Sequence, residues 1–361
     1  MLNNVKVLDL SRVLAGPLCT MMLGDLGAHI IKVERPGSGD DTRGWGPPFD
    51  DRGESAYYLS VNRNKLSIAL DLDDAIDRAL IGRLAEGADV VIDNFKPGTL
   101  ERRGIDPNRY LEANPQLIWC TITGFGPESP RVGYDLVVQA ESGWMAITGE
   151  PSGDPMKAGV ALADIIAGKD ATIAILAALA SRSNLPTDKR RIHISLSRSA
   201  TAALVNVAQN SLVTGRDARR WGNQHPNLVP YQLFHAADRP MIIAVGSDSQ
   251  WKACARVLGL DDLAIDDAIA TNAGRLAHRD RVVGAVADRV RARHASELIG
   301  ELASAGVPCG IVNTVLEALD EVDASPLTGI APSVPGDVRL RPPMLDEHGI
   351  EIRSKEWNVF E

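Results

Sequence analysis

Short apolar runs alternate with segments of helical periodicity in the first half of the chain, and this alternation limits the possible folds more than any other feature. Residues 5–10 and 29–33 have the pattern of buried strands, and residues 15–26 have that of a helix ending at Gly27. The alternation continues through a helix predicted near 100–103 to a last strand predicted at 191–196, and a helix over 198–212 is expected after it. Parallel strands joined by helices form a sheet with helices on both faces, and ligands bind beyond the carboxyl ends of its strands. The sequence therefore predicts an α/β fold with a parallel sheet.

Two stretches without periodicity divide the chain. Both are rich in turn-forming residues, and the first contains T-G-R-D-A-R-R-W-G-N-Q-H-P. A chain of 361 residues is long enough for two domains, each with its own core. We expect a large domain over 1–213, a linker over 214–232, a smaller α/β domain over 233–322, and a linker and tail over 323–361 that return to the large domain.

Composition and charge argue against several classes of function. The 47 acidic residues outnumber the 38 basic ones, and a net charge of −9 disfavours non-specific binding to nucleic acid or to an anionic membrane. The loop after the first strand lacks the G-x-G-x-x-G spacing of a dinucleotide site. Neither zinc nor a redox dithiol is expected, because the four cysteines are far apart and form no C-x-x-C pair.

The sequence shows no targeting segment. The first ten residues pass directly into a strand pattern without the apolar core of a signal peptide. No apolar run approaches the length of a membrane span. We therefore expect a cytoplasmic protein.

One carboxylate, Asp164, lies inside an apolar run that covers residues 156–180. It is the only ionisable residue between Gly159 and Gly168, and an unpaired charge in such a place is costly. Two interpretations are open at this point. Asp164 is either the N-cap of the following helix, or a nucleophile or base at the mouth of a cleft with a raised pKa.

Basic residues recur where the predicted strands end. They are either a solvated face of mixed charge, since Glu34, Asp40, Asp41 and Glu101 lie among them, or an anion site. The basic residues are Lys32, Arg35, Arg43, Arg63, Lys65, Lys96, Arg102 and Arg103.

Seven segments in fixed order resemble the class III coenzyme A transferases. This family includes formyl-CoA transferase, crotonobetainyl carnitine CoA-transferase and the 2-methylacyl-CoA racemases, and the resemblance is strongest over residues 5–215. The segments are V-L-D-L-S-R-V-L-A-G-P at 7–17, L-G-D-L-G-A-H-I-I-K-V-E-R-P-G-S-G-D-D-T-R at 23–43, N-R-N-K at 62–65, D-N-F-K-P-G at 93–98, T-G-F-G at 123–126, Y-D-L-V-V-Q-A at 134–140 and G-V-A-L-A-D at 159–164.

The resemblance implies a Rossmann-like large domain and a small domain in a homodimer whose two chains interlock like rings. It also implies that Asp164 is the nucleophile of an acyl-CoA:carboxylate CoA-transferase. Attack of a carboxylate on an acyl-CoA thioester gives a mixed anhydride that is about as energy-rich as the thioester, so the acyl group keeps its activation. The substrates would be an acyl-CoA and small carboxylic acids, with no permanently bound cofactor and no metal.

The resemblance also places the contacts of CoA. Arg35, Lys96 and Arg102 would be suitable partners for its phosphates. Leu14 replaces a glutamine that some transferases carry near the reacting carbonyl, so that polar contact is not expected here. The implied contact positions are Leu14, Ala15, Arg35, Leu70, Leu72, Asp73, Asn94, Phe95, Lys96 and Arg102, together with Asp71 between them.

Tyr134 separates the two main hypotheses. A racemase of this family needs a histidine at this place, and tyrosine, with a reference pKa near 10, is a poor base at neutral pH. Tyr134 therefore favours CoA transfer, with Tyr134 as a supporting residue. The alternatives are a 2-methylacyl-CoA racemase and a non-catalytic CoA-binding protein in which Asp164 is only a helix cap. Arg43 or Arg131 could recognise a second carboxylate, and His225 is expected to fix a turn.

Overall fold

The computed structural model describes residues 1–361, the side chain of Ser183 excepted. The chain forms two compact units, and each of them consists of more than one segment. The first unit contains Met1–Ala146, Lys157–Ala218 and Val322–Glu361, and the second contains Ile147–Met156 and Arg219–Glu321.

A six-stranded sheet forms the centre of the first unit. All five pairs of neighbouring strands are parallel, so the parallel sheet predicted from the alternation of elements is confirmed. The strand order is β3-β2-β1-β4-β5-β6. It reverses between β1 and β4, where the strand ends of such sheets leave a crevice for a ligand. The strands are β1 (Lys6–Asp9), β2 (His29–Glu34), β3 (Lys65–Ala69), β4 (Val90–Asp93), β5 (Ile118–Thr123) and β6 (Arg191–Ser195).

Helices connect these strands and cover both faces of the sheet. In the chain order of the first unit they are α1 (Ala15–Asp25), α2 (Ala56–Leu59), α3 (Ala75–Glu86), α4 (Pro107–Ala113), α5 (Asp135–Glu141), α6 (Trp144–Ile147, which ends in the second unit), α7 (Leu162–Ser181), α8 (Thr187–Arg190), α9 (Leu196–Ala202) and α10 (Val205–Thr214).

Two helix predictions need correction. A single helix was expected over 198–212, but α9 and α10 are separate because Val205 has a φ of 43°, which interrupts a right-handed helix. The helix expected near 100–103 is one 3₁₀ turn, Glu101–Arg103, which ends at Gly104 with a φ of 79°.

The core of the first unit has two layers, one on each face of the sheet. Successive strand residues face opposite layers: Leu8 packs into the layer on one face and Val7 into the layer on the other. On the second face, α7 buries Ala163, Ala167 and Ala171, which lie four residues apart. These small side chains allow α7 to pack closely against its neighbours.

Four charged side chains are buried beneath the first loop, which is defined here as residues 10–14 between β1 and α1. We call Asp9, Lys32, Asp40 and Lys65 the buried charge network; none of them is more than 1% exposed. Lys65 Nζ lies 3.2 Å from Asp9 Oδ2, and Lys32 Nζ lies 3.0 Å from Asp40 Oδ2. Burial alone would raise the pKa of Asp9, but Lys65, Lys32 and two hydroxyl donors lower it to about 2.

The buried charge network also binds the backbone of the first loop. Lys32 Nζ donates to the carbonyl of Ser11 at 2.9 Å, and the backbone N–H of Val13 donates to both carboxylate oxygens of Asp40 at 3.2 and 3.3 Å. Val13 has a φ of 71°, a strained value for a β-branched residue. The network therefore holds the first loop in a conformation that it would not otherwise adopt.

The second unit has a three-stranded antiparallel sheet in the order β7-β8-β9. Trp251 and Cys254 are completely buried between this sheet and the helices. The unit is thus α/β, with a small sheet of the opposite kind to the first. Its elements are β7 (Tyr231–His235), β8 (Pro240–Ala244), α11 (Asp248–Val257), α12 (Asp261–Ala264), α13 (Asn272–Ala277), α14 (Arg279–Arg291), α15 (Ala295–Ser304), β9 (Cys309–Ile311) and α16 (Val315–Leu319).

The last segment of the chain belongs to the first unit. It contains a short antiparallel pair, β10 (Ala324–Ser325) and β11 (Gly329–Ile330), and the helix α17 (Gly349–Lys355). Among the described residues, no helix is both long and apolar enough to cross a membrane.

The buried charge network yields a prediction about stability. Asp9→Asn should lower the free energy of unfolding at pH 7 by about 3–5 kcal/mol, because it removes the carboxylate that pairs with the buried Lys65. The pKa of Asp9 is depressed to about 2, so its contribution is present above pH 4 and is lost as the pH falls from 4 towards 2. The difference in the free energy of unfolding between the unsubstituted protein and Asp9→Asn should therefore disappear over that range. Chemical denaturation followed by circular dichroism measures it.

Asp51→Asn is the matched control, because Asp51 is exposed. It should change the free energy of unfolding by no more than about 0.5 kcal/mol. Equal stability of the two variants at pH 7 would show that the network does not stabilise the fold.

Candidate active site

Asp164 lies in the first turn of α7, but it does not cap this helix. The N-cap is Ala161, which has no side chain that could accept a hydrogen bond. Within the described part of the chain, the carboxylate of Asp164 accepts no hydrogen bond, and the group that acts on it electrostatically is another acid, Asp135. The interpretation of Asp164 as a helix cap is therefore wrong.

Asp135 takes the capping position instead, from a different helix. It is the first residue of α5, and its Oδ1 accepts the backbone N–H of Ala163 at 2.8 Å and that of Asp164 at 3.4 Å. Its Oδ2 accepts the side-chain amide of Gln139 at 2.7 Å. The buried Gln139 also bonds to Val160 and Ala158, just before α7. Asp135 and Gln139 thus fix the start of the helix that carries Asp164.

The surroundings of Asp164 strongly disfavour its charged form. Its half-buried position raises its pKa first, the negative charge of Asp135 adds to this, and together they bring the pKa to about 7. At neutral pH the carboxyl group is therefore close to half ionised. A carboxylate with few hydrogen bonds and little solvation is a stronger nucleophile than one in water.

A close helix contact places Asp164 beside the first loop. Gly168 lies one turn after Asp164, and a Cβ atom at this position would lie 2.7 Å from the carbonyl oxygen of Ala15. Only glycine allows this approach of α7 to the first residue of α1. Since α1 begins where the first loop ends, Asp164 comes close to that loop.

Asp164 lines a cavity of about 190 Å³, called the acid cavity here. The cavity brings together predicted residues from four separate parts of the sequence: the first loop with the start of α1, the turn after β4, the segment before α5, and α7. The predicted residues on its lining are Leu14, Ala15, Asn94, Phe95, Lys96, Tyr134 and Asp164.

A larger cavity of about 550 Å³, called the wide cavity here, contains the other predicted contacts. Arg35, Leu70 and Phe95 line it, as do residues 71–73. Arg102 lies on neither cavity, and its guanidinium contacts Thr99 Oγ1 at 3.3 Å. The neighbouring Arg103 lines the wide cavity instead and pairs with Asp73 at 2.8 Å. The resemblance implied Arg102, and not Arg103, as a contact of CoA.

Burial separates the basic residues that support the fold from those that face a cavity. Arg43 is buried and bonds to Glu34 at 2.7 Å and to Glu54 at 2.6 Å, so its guanidinium is saturated and cannot recognise a substrate carboxylate. Arg63 is likewise buried against Asp25 at 2.7 Å. Together with Lys32 and Lys65 of the buried charge network, these residues are structural. Of the other basic residues predicted, Arg35, Lys96 and Arg103 line cavities, and the buried Lys32 also borders the wide cavity.

Tyr57 is a residue of the site that sequence reasoning missed. Burial and the negative charges of Asp164, Asp135 and Asp40 raise its pKa to about 12, so its hydroxyl stays protonated at neutral pH. Its ring packs edge-on against Trp45 at 5.2 Å between centroids. Tyr57 is thus a hydrogen-bond donor held in an acidic environment.

The remaining candidates lie elsewhere. His225 accepts the backbone N–H of Asn227 at 3.0 Å and packs 5.1 Å from the ring of Tyr231, as expected for a histidine that fixes a turn. The described residues contain no group of three or more His, Cys, Asp or Glu side chains suited to a metal ion.

Known proteins resemble the chain over most of its length. A family model described as CoA-transferase family III matches residues 2–330. The succinate–glutarate CoA-transferase of Agrobacterium fabrum is 43% identical over 326 residues, 88% of this chain and 81% of that protein. The Homo sapiens succinyl-CoA:glutarate CoA-transferase is 42% identical over 324 residues, 89% and 73%. A CaiB/BaiF family protein from Brucella suis, known as a crystal structure, has a TM-score of 0.85 at 40% identity, with 98% of each chain covered.

The position of Asp135 predicts a change in the ionisation of Asp164. Asp135→Asn keeps an oxygen for the N–H of Ala163 but removes the negative charge, so the pKa of Asp164 should fall from about 7 by about one unit. Infrared difference spectroscopy during a pH titration measures it, and the band is assigned with Asp164→Asn.

Asp170→Asn is the control, because Asp170 is a carboxylate further along the same helix that does not act on Asp164. A titration of Asp164 that is the same in both variants would mean that Asp135 does not set its pKa.

Proposed function

Because the chain belongs to family III of the CoA-transferases, we propose that Asp164 is the nucleophile through which it transfers CoA between carboxylic acids. The family membership that seven sequence segments indicated is confirmed. The chain is an acyl-CoA:carboxylate CoA-transferase, as its relatives are named. The observation that carries the proposed role is the pKa of Asp164 on the lining of the acid cavity, which burial and Asp135 raise to about 7.

The proposed reaction begins at the ionised carboxylate. One oxygen of Asp164 bonds to the thioester carbonyl carbon, the C–S bond breaks, and CoA leaves as a thiolate, which gives a mixed anhydride. The thiolate then attacks the carbonyl carbon of Asp164 and releases the first acid. The second acid takes CoA by the same steps in reverse. The activation of the thioester is retained on the protein when the first acid leaves, because an anhydride and a thioester are of similar energy.

The start of α1 provides groups that could stabilise the oxyanion of each step. This helix begins at Ala15 on the lining of the acid cavity and has no side-chain cap. The first N–H groups of a helix lack partners within it and carry a partial positive charge. Those of α7 are already bound by Asp135. We therefore assign the oxyanion contact to α1, with the protonated hydroxyl of Tyr57 as a second donor.

The positions of the two cavities indicate which part of the chain binds CoA. Both are lined by residues of the first unit, which supports our proposal that residues 1–213 form the CoA-binding domain. Residues 233–322 would then form the small domain, with 214–232 as a linker and 323–361 as the returning tail. We place the protein in the cytoplasm, a reducing compartment that suits its unpaired cysteines.

We propose dicarboxylic acids as the substrates. The two relatives described above are named for succinate or succinyl-CoA and glutarate. In this chain, Arg131 lines the acid cavity, as Asp164 does. Its guanidinium lies 4.0 Å over the ring of Phe125 and is held by Glu141 at 2.6 and 3.0 Å, so it is in place before a ligand arrives. It is a suitable partner for a second carboxylate.

The proposed nucleophile can be tested by trapping. Succinyl-CoA should acylate the protein, and hydroxylamine should convert Asp164 of that adduct into a hydroxamate that mass spectrometry locates. The yield should rise with pH through about 7, as the carboxyl group ionises. Asp164→Ala should lose the adduct and reduce turnover by at least about 10³-fold. Asp170→Ala, on the same helix, should retain both.

The acceptor acids are compared in the same assay. Succinate and glutarate should accept CoA, and acetate should be a poor acceptor. An adduct on another residue, or full turnover by Asp164→Ala, would overturn the mechanism. Exchange of the α-proton with solvent deuterium, without transfer of CoA, would instead support the racemase alternative.

We also propose that the protein is a homodimer of interlocked chains. None of the ten residues of α10 is buried, although this helix carries Val205, Leu212 and Val213. Their exposed fractions are 69%, 77% and 75%. A helix that exposes several large apolar residues needs a cover, and a second copy of the chain provides one without another component.

A charge on α10 should therefore weaken the dimer. Leu212→Asp should shift the mass measured by light scattering from twice 38.7 kDa towards the single chain. Ile76→Asp on α3 is the matched control, because Ile76 is also 77% exposed. The dimer interface does not include α10 if both variants keep the mass of the unsubstituted protein.

A further inference from the structure

Arg12 lies where the acid cavity and the wide cavity adjoin. It lines both of them, as does Phe95, and its guanidinium carbon lies 5.7 Å from the centre of the Phe95 ring. A ligand that reaches from Asp164 into the wide cavity must pass these two residues. Arg12 was not among the residues predicted to contact CoA.

The backbone of Arg12 is fixed. Its N–H donates to Asn94 Oδ1 at 3.0 Å, and its carbonyl accepts Asn94 Nδ2 at 2.7 Å. On either side, Ser11 and Val13 are held by the buried charge network. The side chain therefore extends from a rigid base, and a ligand that binds it does not have to order the loop.

Not all hydrogen-bond donors of the Arg12 guanidinium are used within the chain. Within the described structure, its Nε is buried without a hydrogen-bond partner, and Nη1 reaches Asp41 Oδ2 at 3.3 Å. Arg43, by contrast, uses its guanidinium nitrogens on Glu34, Glu54 and Tyr58 at 2.6–2.8 Å. A buried donor without a partner is costly, which indicates that a ligand completes the coordination of Arg12.

Asp41 lies between Arg12 and Arg35. One of its oxygens is 3.3 Å from Arg12, and the other is 3.9 Å from Arg35. Two guanidinium groups thus share one carboxylate, at distances longer than those of close ion pairs. All three side chains are more than one-third exposed. The three side chains together keep a net positive charge and are accessible to an anion.

We propose that Arg12, together with Arg35, binds the diphosphate of CoA, and that Asp41 keeps the two guanidinium groups in place before CoA arrives. This inference rests on the proposed function. In CoA the diphosphate lies between the pantetheine arm, which ends at the thioester, and the adenosine. With the thioester at Asp164 and the adenosine in the wide cavity, the diphosphate passes the junction of the cavities. The planar guanidinium forms paired hydrogen bonds with phosphate oxygens.

The experiment compares Arg12→Ala with the unsubstituted protein on two thioesters. Succinyl-CoA carries the diphosphate, and succinyl-pantetheine lacks it. Loss of a charged hydrogen-bonding group should raise KM for succinyl-CoA about 10–100-fold with kcat within about 2-fold. The KM for succinyl-pantetheine should not change. Calorimetry with CoA alone should show the same rise in Kd, a readout that does not depend on turnover.

Two further variants complete the test. Arg12→Lys keeps the charge and should recover part of the affinity for CoA. Arg109→Ala removes an exposed arginine that lies on neither cavity, and it should leave both thioesters unaffected.

The inference is overturned if Arg12→Ala leaves the Kd of CoA unchanged, or if it impairs both thioesters equally, since the latter means that Arg12 only shapes the loop. Failure of the proposed function gives a different result: no acyl group appears on Asp164 of the unsubstituted protein with either thioester.

Discussion

The candidate site depends on charges that are kept away from water. Removing an ion from water costs several kcal/mol even after the protein relaxes, so Asp9, Lys32, Asp40 and Lys65 are tolerable only as a network in which each charge has a partner. Asp9 and Lys32 are also neighbours in the register of β1 and β2. Because the same groups bind backbone atoms of the first loop, the sheet and the loop are fixed by one set of contacts.

Asp9 and Asp164 show how neighbouring charged groups determine the pKa of a carboxylate and hence its role. Asp9 is fully buried but has two lysines and two hydroxyl donors, and its pKa is about 2. Asp164 is only half-buried but has another acid as its charged neighbour, and its pKa is about 7. Burial raises the pKa of both groups, so the difference arises from the partners. The first carboxylate is a permanent anion that supports the fold, and the second can exchange between charged and neutral forms at physiological pH.

The sequence predicted the features that depend on local patterns. Apolar periodicity predicted the parallel sheet, and an isolated acid in an apolar run drew attention to Asp164, whose role as nucleophile was implied by the resemblance and is still a proposal. Contacts between distant segments left no local pattern. Asp135 caps a helix that begins 27 residues later in the chain, and the charge of Asp164 raises the pKa of Tyr57, which is distant in sequence. The sequence also does not show which group a basic residue contacts. Arg43 is buried between two acids, whereas Arg12, which lies in an apolar motif, lines two cavities.

Asp135 also resolves a conflict at the start of α7. The N-terminus of a helix favours negative charge, so a carboxylate in the first turn of α7 should have a low pKa and be a weak nucleophile. Asp135 occupies the N–H groups that would otherwise stabilise the charge of Asp164, and it adds a negative charge of its own. The helix end is thereby satisfied by the carboxylate of Asp135. Asp164, the proposed nucleophile, can therefore lie at the same helix end on the lining of the acid cavity without losing its basicity.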